Sequence, residues 1–347
     1  MKRPIFLKQK NMLRVLYSLI PVATGAIFFF GWRVLALLAV SFLFAFLTEW
    51  YMESKKANGK ISYAVFVTAA LFGLSLPSTA PFWITAVGII IAVLFGKMAF
   101  GGFGKNVFNP AIVGRAFVYV TFPQEITGSF TPAFKTFPGG FAHWSSGMTA
   151  VPAYISQAGL QIADAVTAAT PMWARRDFGY TTDLVNMFLG NIGTTFEQAG
   201  QTMVLAAGSV GEVSALLIIL AGIYLIWTKT ANWRLTVSMI SGAAVMSFFA
   251  HYVLHIPTAA PVPFSLLSGA LLYGAVFMVT DPVSAPKVPL SQYIYGAFIG
   301  IMVVFFRYQS IFAGGLAFAM LFGNMIAPSL DLWIKRIRAR KTVGGKA

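Results

Sequence analysis

At 347 residues, 58% hydrophobic and 10% charged, with a mean hydropathy of +0.75, the chain is too apolar for a soluble domain and supplies repeated windows near the roughly 20 residues that cross a bilayer. Its formal net charge of +15 comes from Lys and Arg in loops and tails beside apolar segments, a positive-inside pattern that makes nucleic acid an unexpected partner. Without a cysteine the chain forms no disulfide and ligates no cluster through thiolates, so any redox centre it owns is organic or held by other residues.

Taken in order, hydropathy and breakers predict ten spans, at residues 12–30, 33–51, 61–77, 81–98, 107–122, 211–228, 234–254, 264–280, 290–306 and 311–330. The expected fold is an all-α polytopic membrane protein with about ten transmembrane helices. The first span is too long for a cleavable signal and lacks a small-x-small cleavage site, so it is expected to stay as a helix. Alternation from an inside N-terminus puts 19 of the 25 basic residues on the cytoplasmic side. Both termini are then cytoplasmic, and the segment 123–210 is external.

Within the first half, Gly101, Gly102 and Gly104 suit close backbone approach, whether to a ligand or to a neighbouring helix. Asn109-Pro110 breaks a span where freed carbonyls can face a cavity. Arg115 lies inside the fifth span and must find a carboxylate, a carbonyl or a phosphate there. Glu49 and Glu53, close to Lys55 and Lys56, read as a solvated cytoplasmic face. Leu76-Pro77-Ser78-Thr79-Ala80-Pro81 precedes one span as Asp281-Pro282-Val283-Ser284-Ala285-Pro286 precedes another, with two prolines four apart in each. Five spans separate these motifs, so they open to opposite sides, the signature of two five-helix halves inverted about an axis in the membrane plane. The chain then divides into a first repeat at 1–122, an external region at 123–210, a second repeat at 211–334 and a basic cytoplasmic tail at 335–347.

The external region is too long for a simple connection. It contains Asp164-Ala165-Val166-Thr167-Ala168-Ala169-Thr170-Pro171, a polar motif that suits either an enzyme gripping one threonine for modification or the start of a surface helix with Pro at its first turn. Arg175 and Arg176 have the fork geometry for a phosphate next to Thr170, and are equally ordinary loop charges. Phe137, Phe141, Trp144, Trp173, Phe178 and Tyr180 could stack on a flat ring or form an interfacial belt. Glu212 opens the sixth span as a helix-start carboxylate. His143, His251 and His255 lack metal-site spacing, and no metal is expected. Asp281, beside Thr280 and Ser284, offers oxygen ligands to a hard cation, can carry a proton, or caps the following segment.

The motif at 164–170 resembles the flavin attachment site shared by the B subunit of the sodium-translocating NADH:quinone oxidoreductase and the D subunit of the Rnf electron-transfer complex, with Ala168 where that family has Gly. Further pieces resemble the same family: Gly96-Lys97, Phe100-Gly101-Gly102-Phe103-Gly104-Lys105-Asn106, Phe108-Asn109-Pro110-Ala111, Val113-Gly114-Arg115-Ala116-Phe117, Phe277-Met278-Val279-Thr280-Asp281-Pro282-Val283-Ser284, Phe188-Leu189-Gly190-Asn191-Ile192 and Gly208-Ser209-Val210-Gly211-Glu212. The last two blocks are nearly contiguous in the family, whereas Gly193 to Ala207 is inserted between them here.

The resemblance implies a membrane subunit of a redox-driven sodium or proton pump. Thr170 would be esterified to the phosphate of FMN by a flavin transferase, with Asp164 and Thr167 as recognition positions. Relatives also hold riboflavin without a covalent bond. Expected partners are the other membrane and peripheral subunits of the complex, including flavin- and iron-sulfur-bearing ones, with NADH or ferredoxin and quinone as terminal partners, in the cell inner membrane. No residue of this chain is expected to be catalytic alone. Gly101-Gly102-Phe103-Gly104 follows no strand, so a partner would oxidise the nucleotide. Asp281, Asn109 and Arg115 are the candidates for an ion pathway. Two other readings remain: a non-redox transporter with an inverted-repeat fold, and a structural anchor for redox partners.

Overall fold

The computed structural model describes residues 5–162, 169–198, 200–309 and 315–344. Asp164 and Thr167, and with them Ala168, lie outside the described residues.

The first half carries helices α1 (Lys10–Phe30), α2 (Arg33–Ser54), α3 (Ala64–Leu74), α4 (Phe82–Gly96) and α5 (Pro110–Thr121). Short helices follow in the segment at 123–210, among them α6 (Pro171–Phe178) and α7 (Leu184–Leu189). The second half carries α8 (Ala215–Trp227), α9 (Trp233–Phe248), α10 (Val262–Leu267), α11 (Leu271–Tyr273), α12 (Pro289–Gln309) and α13 (Leu316–Gly344). Wider π turns extend α9 to Val253 and α11 to Met278. The chain is mostly helical rather than all-α. Strand β1 (Ile5–Leu7) pairs parallel with β2 (Lys60–Ser62), and β3 (Thr194–Gln198) forms an antiparallel hairpin with β4 (Gln201–Leu205).

Among the described residues six helices, counting short terminal turns, are long and apolar enough to cross a membrane: Lys10–Phe30, Arg33–Ser54, Phe82–Phe100, Trp233–Val253, Pro289–Gln309 and Leu316–Arg340. The remaining four expected spans are shorter. Helices α3, α5 and α8 have 11, 12 and 13 residues, about 16–20 Å at ~1.5 Å per residue against a hydrocarbon core of about 30 Å. The expected span 264–280 is split where Ser268, Gly269 and Ala270 leave the helix, with Gly269 at φ +61. Irregular backbone at such breaks is tolerated where it is buried in protein or lines a cavity and its polar groups are paired. The basic tail expected at 335–347 begins as a direct continuation of α13.

The breaks are paired from neighbouring elements. Val210 and Gly211 donate their amides to the carbonyls of Leu76 and Leu74 at 3.0 and 2.8 Å, which satisfies orphan acceptors at the end of α3. Buried Arg33 donates to the carbonyls of Ser78 and Ala80, and buried Arg307 to those of Ser265 and Ser268. At the start of α5, the Asn109 side chain accepts from Ala111 N at 3.0 Å with Pro110 in the first turn, a strong helix-start combination.

Helix α2 packs on α3 and α4, α4 on α5, α9 on α12, α12 on α13, and α1 on α8. Gly242, Gly296 and Gly300 bring α9 and α12 so close that a Cβ at any of the three would collide with the facing helix. This is the small-residue packing expected where lipid removes the hydrophobic drive for helix association.

Candidate functional site

A cavity of about 530 Å³ opens between the segment at 123–210 and the bundle, within the range of small-molecule sites. Its walls include Thr170, Trp173 and Arg176 from α6 and the residue before it, Tyr119 and Arg115 from α5, Ser209 and Glu212 before α8, and Gly269 and Ala270 at the break between α10 and α11.

Thr170 caps α6. Its Oγ1 accepts from Trp173 N at 3.4 Å, and Pro171 occupies the first helical position. The helix-start reading is thus what the structure shows, and the same residue lines the cavity. Arg176 lies on the cavity wall and makes two hydrogen bonds to Asp177, at 2.6 and 3.0 Å. That contact holds the Asp177 carboxyl below the usual carboxylate range. Arg175 is not part of the wall. It turns to the carbonyl of Gly179 at 3.1 Å and to Thr181 Oγ1 at 3.2 Å, closing the C-terminal end of α6. Among the six aromatic candidates only Trp173 lines the cavity. Phe141 packs on Phe28 and Trp32, Phe178 and Tyr180 pack on Phe196, and Phe137 and Trp144 are exposed.

At the cavity floor Arg115 and Glu212 form a buried ion pair, Nη1 to Oε1 at 2.5 Å, with Ser209 Oγ at 3.3 Å from Nη2. Glu212 is therefore not the helix-start carboxylate expected: Ser214 caps α8, while Glu212 neutralises the arginine of another helix. The signal was present in the sequence, since an arginine within an apolar span requires a partner and Glu212 stands at the edge of another span.

Asp281 and Asn109 come together elsewhere, around a small cavity of about 60 Å³ that Thr280, Thr230 and Asn11 also line. Asp281 accepts from Val283 N at 3.1 Å and Ser284 Oγ at 2.8 Å, so it caps the turn that follows while it lines this space. Asn109 donates to the Met278 carbonyl at 3.3 Å, and its amide meets Asn324 Oδ1 at 3.0 Å. Asn324 in turn donates to the Tyr295 hydroxyl at 2.7 Å. Arg115 is separate from this group. Neither Asn324 nor Tyr295 carried a pattern that set it apart from its apolar helix.

Glu49 and Glu53 are buried rather than solvated. Lys97 Nζ lies 2.6 Å from Glu49 Oε2 and 2.8 Å from Ser62 Oγ, with Lys97 2% and Glu49 1% exposed. Glu53 pairs with Lys56 at 2.6 Å and accepts from Lys60 N. The turn between α2 and β2 folds back over the end of α2, which removes these carboxylates from water. His251 Nδ1 lies 2.8 Å from the Ala259 carbonyl. Among the described residues no group of three or more metal-ligating side chains converges.

Thr170, Arg176 and Trp173 line this one cavity, so the residue types that a flavin mononucleotide would call on, a hydroxyl, a guanidinium for phosphate oxygens and an indole for a flat ring, are present there.

The sequence model of the NQR2, RnfD, RnfE family matches residues 7–340. The chain is 34% identical over 321 residues to the B subunit of the Na(+)-translocating NADH-quinone reductase of Pseudoalteromonas atlantica, covering 91% of this chain and 69% of that protein. It is 30% identical over 365 residues to the D subunit of the ion-translocating oxidoreductase complex of Haemophilus influenzae, covering 98% and 96%. Against the protein of the same name from Actinobacillus succinogenes it is 28% identical over 344 residues, covering 95% and 93%.

Proposed function

The chain belongs to the NQR2, RnfD, RnfE family, and from that premise we propose that it is the membrane subunit of a redox-driven sodium or proton pump that carries covalent FMN on Thr170 and relays electrons between partner subunits. The observation that carries the flavin reading is the position of Thr170 on the wall of a 530 Å³ cavity with Trp173 and Arg176. Bound there, the flavin would supply reversible electron acceptance and donation. The chain's own residues bind and orient it. Thr170 anchors the phosphate as an ester, Arg176 exchanges part of its contact with Asp177 for phosphate oxygens, and Trp173 offers a face for stacking. Arg115 and Glu212 fix the charge at the floor.

The ion would pass by Asp281 and Asn109, whose oxygens border the small cavity. A ten-span membrane topology with two inverted five-helix repeats is supported by matched packing: α2 meets α4 as α9 meets α12, and α4 meets α5 as α12 meets α13. In each half a turn with two prolines four apart joins the third and fourth spans. In this reading both termini are cytoplasmic and the Thr170 region is external, in the cell inner membrane. The other subunits of the complex and a flavin transferase are its partners. A non-covalent riboflavin is part of the same reading, without assigned residues.

The test is the intact mass of the chain purified after co-expression with an active flavin transferase, followed by mapping of the peptide 164–176. An FMN adduct on Thr170 is expected. An unmodified peptide overturns the covalent flavin and favours a transporter or anchor.

A further inference from the structure

The inserted segment carries the β3–β4 hairpin, which holds α6 at both ends. On the N-terminal side, Ala169 donates its amide to the Val204 carbonyl at 3.1 Å and accepts from Ala206 N at 2.8 Å, so the residue before Thr170 is paired to the second strand of the hairpin. On the C-terminal side, Phe196 of β3 stacks on Tyr180 at 4.5 Å with an interplanar angle of 19° and meets Phe178 at 6.1 Å. Ala169, Val204, Leu205 and Ala206 are buried, which shields these backbone hydrogen bonds from competing water. The hairpin base is itself tied down, because Ala207 donates to the Thr131 carbonyl at 3.0 Å and Thr131 Oγ1 meets Ser78 Oγ at 2.8 Å in the buried turn before α4.

Helix α6 has eight residues, too few to hold a position through its own backbone bonds. Its register against the cavity must come from tertiary contacts, in which the grips at its two ends act together with the buried Pro171, Met172 and Ala174 of its body. We propose that the β3–β4 hairpin is a positioning clamp for Thr170, which fixes the threonine on the cavity wall and so determines that a group attached there sits inside the cavity rather than outside it. The clamp rests on the flavin reading for its purpose, though not for its geometry. A tethered ring reaches its pocket at a local concentration set by how tightly the tether point is held. Loosening the clamp therefore leaves the ester in place and moves the ring.

Two variants loosen the two grips. Phe196→Ala removes the stack at the far end of α6, and Ala206→Pro removes the amide that bonds Ala169; Gln198→Ala at the hairpin tip is the control. Each is prepared with the transferase and measured in three ways: adduct mass on Thr170, iodide quenching of flavin fluorescence, and hydrogen exchange of peptides spanning 169–180 and of the bundle. The expected result is a wild-type adduct mass in all three. Iodide quenching should rise several-fold, and exchange of 169–180 should quicken on the order of tenfold in the two grip variants, the loss expected of one or two hydrogen bonds, with bundle exchange unchanged. Wild-type exchange at 169–180 in both grip variants overturns the clamp. Quickened exchange with unchanged quenching also overturns it, since the hairpin would then stiffen α6 without placing the ring. Absence of adduct from the wild-type chain refutes the flavin reading instead, and the exchange measurement still decides the geometry. Unfolding of Ala206→Pro, seen as quickened bundle exchange, leaves Phe196→Ala to decide.

Discussion

Arg115 on α5 and Glu212 ahead of α8 meet at 2.5 Å although 97 residues separate them in sequence. Both are buried, and the pair forms part of the cavity wall that Thr170 shares. One fold-level tie between the two halves of the chain is thus also the charge balance of the candidate flavin site. Removing one partner strands a charge in a poorly hydrated interior. Glu212→Gln or Arg115→Met should lower the stability of the purified protein by roughly 3–5 kcal/mol. The double replacement Arg115→Met with Glu212→Leu should recover much of that loss. Thermal unfolding in detergent of the two single variants and the double one checks this, and a double variant as unstable as the sum of the singles would refute it.

Thr170 caps α6 and is the proposed attachment residue, two roles that substitution can separate. Thr170→Ala should abolish the adduct and also the cap, at a cost of about 1 kcal/mol to a helix end. Thr170→Asn keeps a capping oxygen but offers no hydroxyl, so it should restore the exchange protection of α6 while remaining unmodified. Thr170→Ser should retain both. Intact mass and electron transfer in the assembled complex are the readouts, and an adduct on the Asn variant would place the modification elsewhere.

The two neighbouring arginines should behave differently. Arg176→Ala should weaken retention of the ring in the cavity, read as increased iodide quenching, because Arg176 is the one on the wall. Arg175→Ala should leave quenching unchanged and quicken exchange at Gly179 to Thr181, where its hydrogen bonds lie. The Arg176 to Asp177 contact also has a pH signature. Asp177 is held below the ordinary carboxylate value by its hydrogen bond from Arg176, so its folded form binds a proton less readily than the unfolded chain. The contribution is complete above about pH 4, near the reference Asp value, and fades as pH falls through the folded value. Asp177→Asn should therefore differ from wild type in unfolding temperature at pH 6 and converge with it as pH falls below the ordinary carboxylate value. The difference should be small because the Asp177 side chain is 36% exposed and screened by solvent.

Composition and charge placement were enough to read a polytopic helical membrane protein, and the spaced motifs were enough to read its family. The short helices α3, α5 and α8 were less legible because hydropathy measures avoidance of water, which a lipid-facing residue and a buried residue near a helix break share. Thr170 and Arg176 were readable at the cavity because they lie within ten residues of one another on a local motif. Glu212, Asn324 and Tyr295 act through contacts made across the sequence, and no local pattern announces such a partner. Glu49 misled because its neighbours in sequence, Lys55 and Lys56, are not its neighbour in space, Lys97.

At the small cavity, Asp281→Asn keeps a side-chain oxygen for the turn but removes the charge a cation would use. The expected result is assembled, flavin-bearing protein whose electron transfer no longer drives uptake of sodium or protons into vesicles at the wild-type rate. Asn324→Leu should act differently, because it leaves the Asn109 amide and the Tyr295 hydroxyl without their buried partner and should cost about 1–3 kcal/mol of stability for each group left unpaired. Transport by Asp281→Asn at the wild-type rate would remove Asp281 from the pathway.

Lys97 and Glu49 offer the sharpest contrast between sequence and space, since the carboxylate expected in water is 1% exposed and bonded at 2.6 Å to a lysine that is 2% exposed. Ser62 completes the lysine's contacts from β2, while Glu49 Oε1 accepts from Ser62 N at 3.1 Å. The cluster thereby joins α2, the end of α4 and the strand pair. Neutralising Lys97 alone leaves Glu49 buried with its backbone donor but without the lysine's charge, and neutralising Glu49 alone leaves the ammonium buried without its hydrogen-bonded carboxylate. Each single change, Lys97→Met or Glu49→Gln, should destabilise the protein by roughly 3–5 kcal/mol, whereas Lys97→Met combined with Glu49→Gln removes both charges and should cost much less. Thermal unfolding of the four proteins closes the cycle. Single variants as stable as wild type would mean that water reaches this end of the bundle, and would return Glu49 to the solvated face that its sequence neighbours suggest.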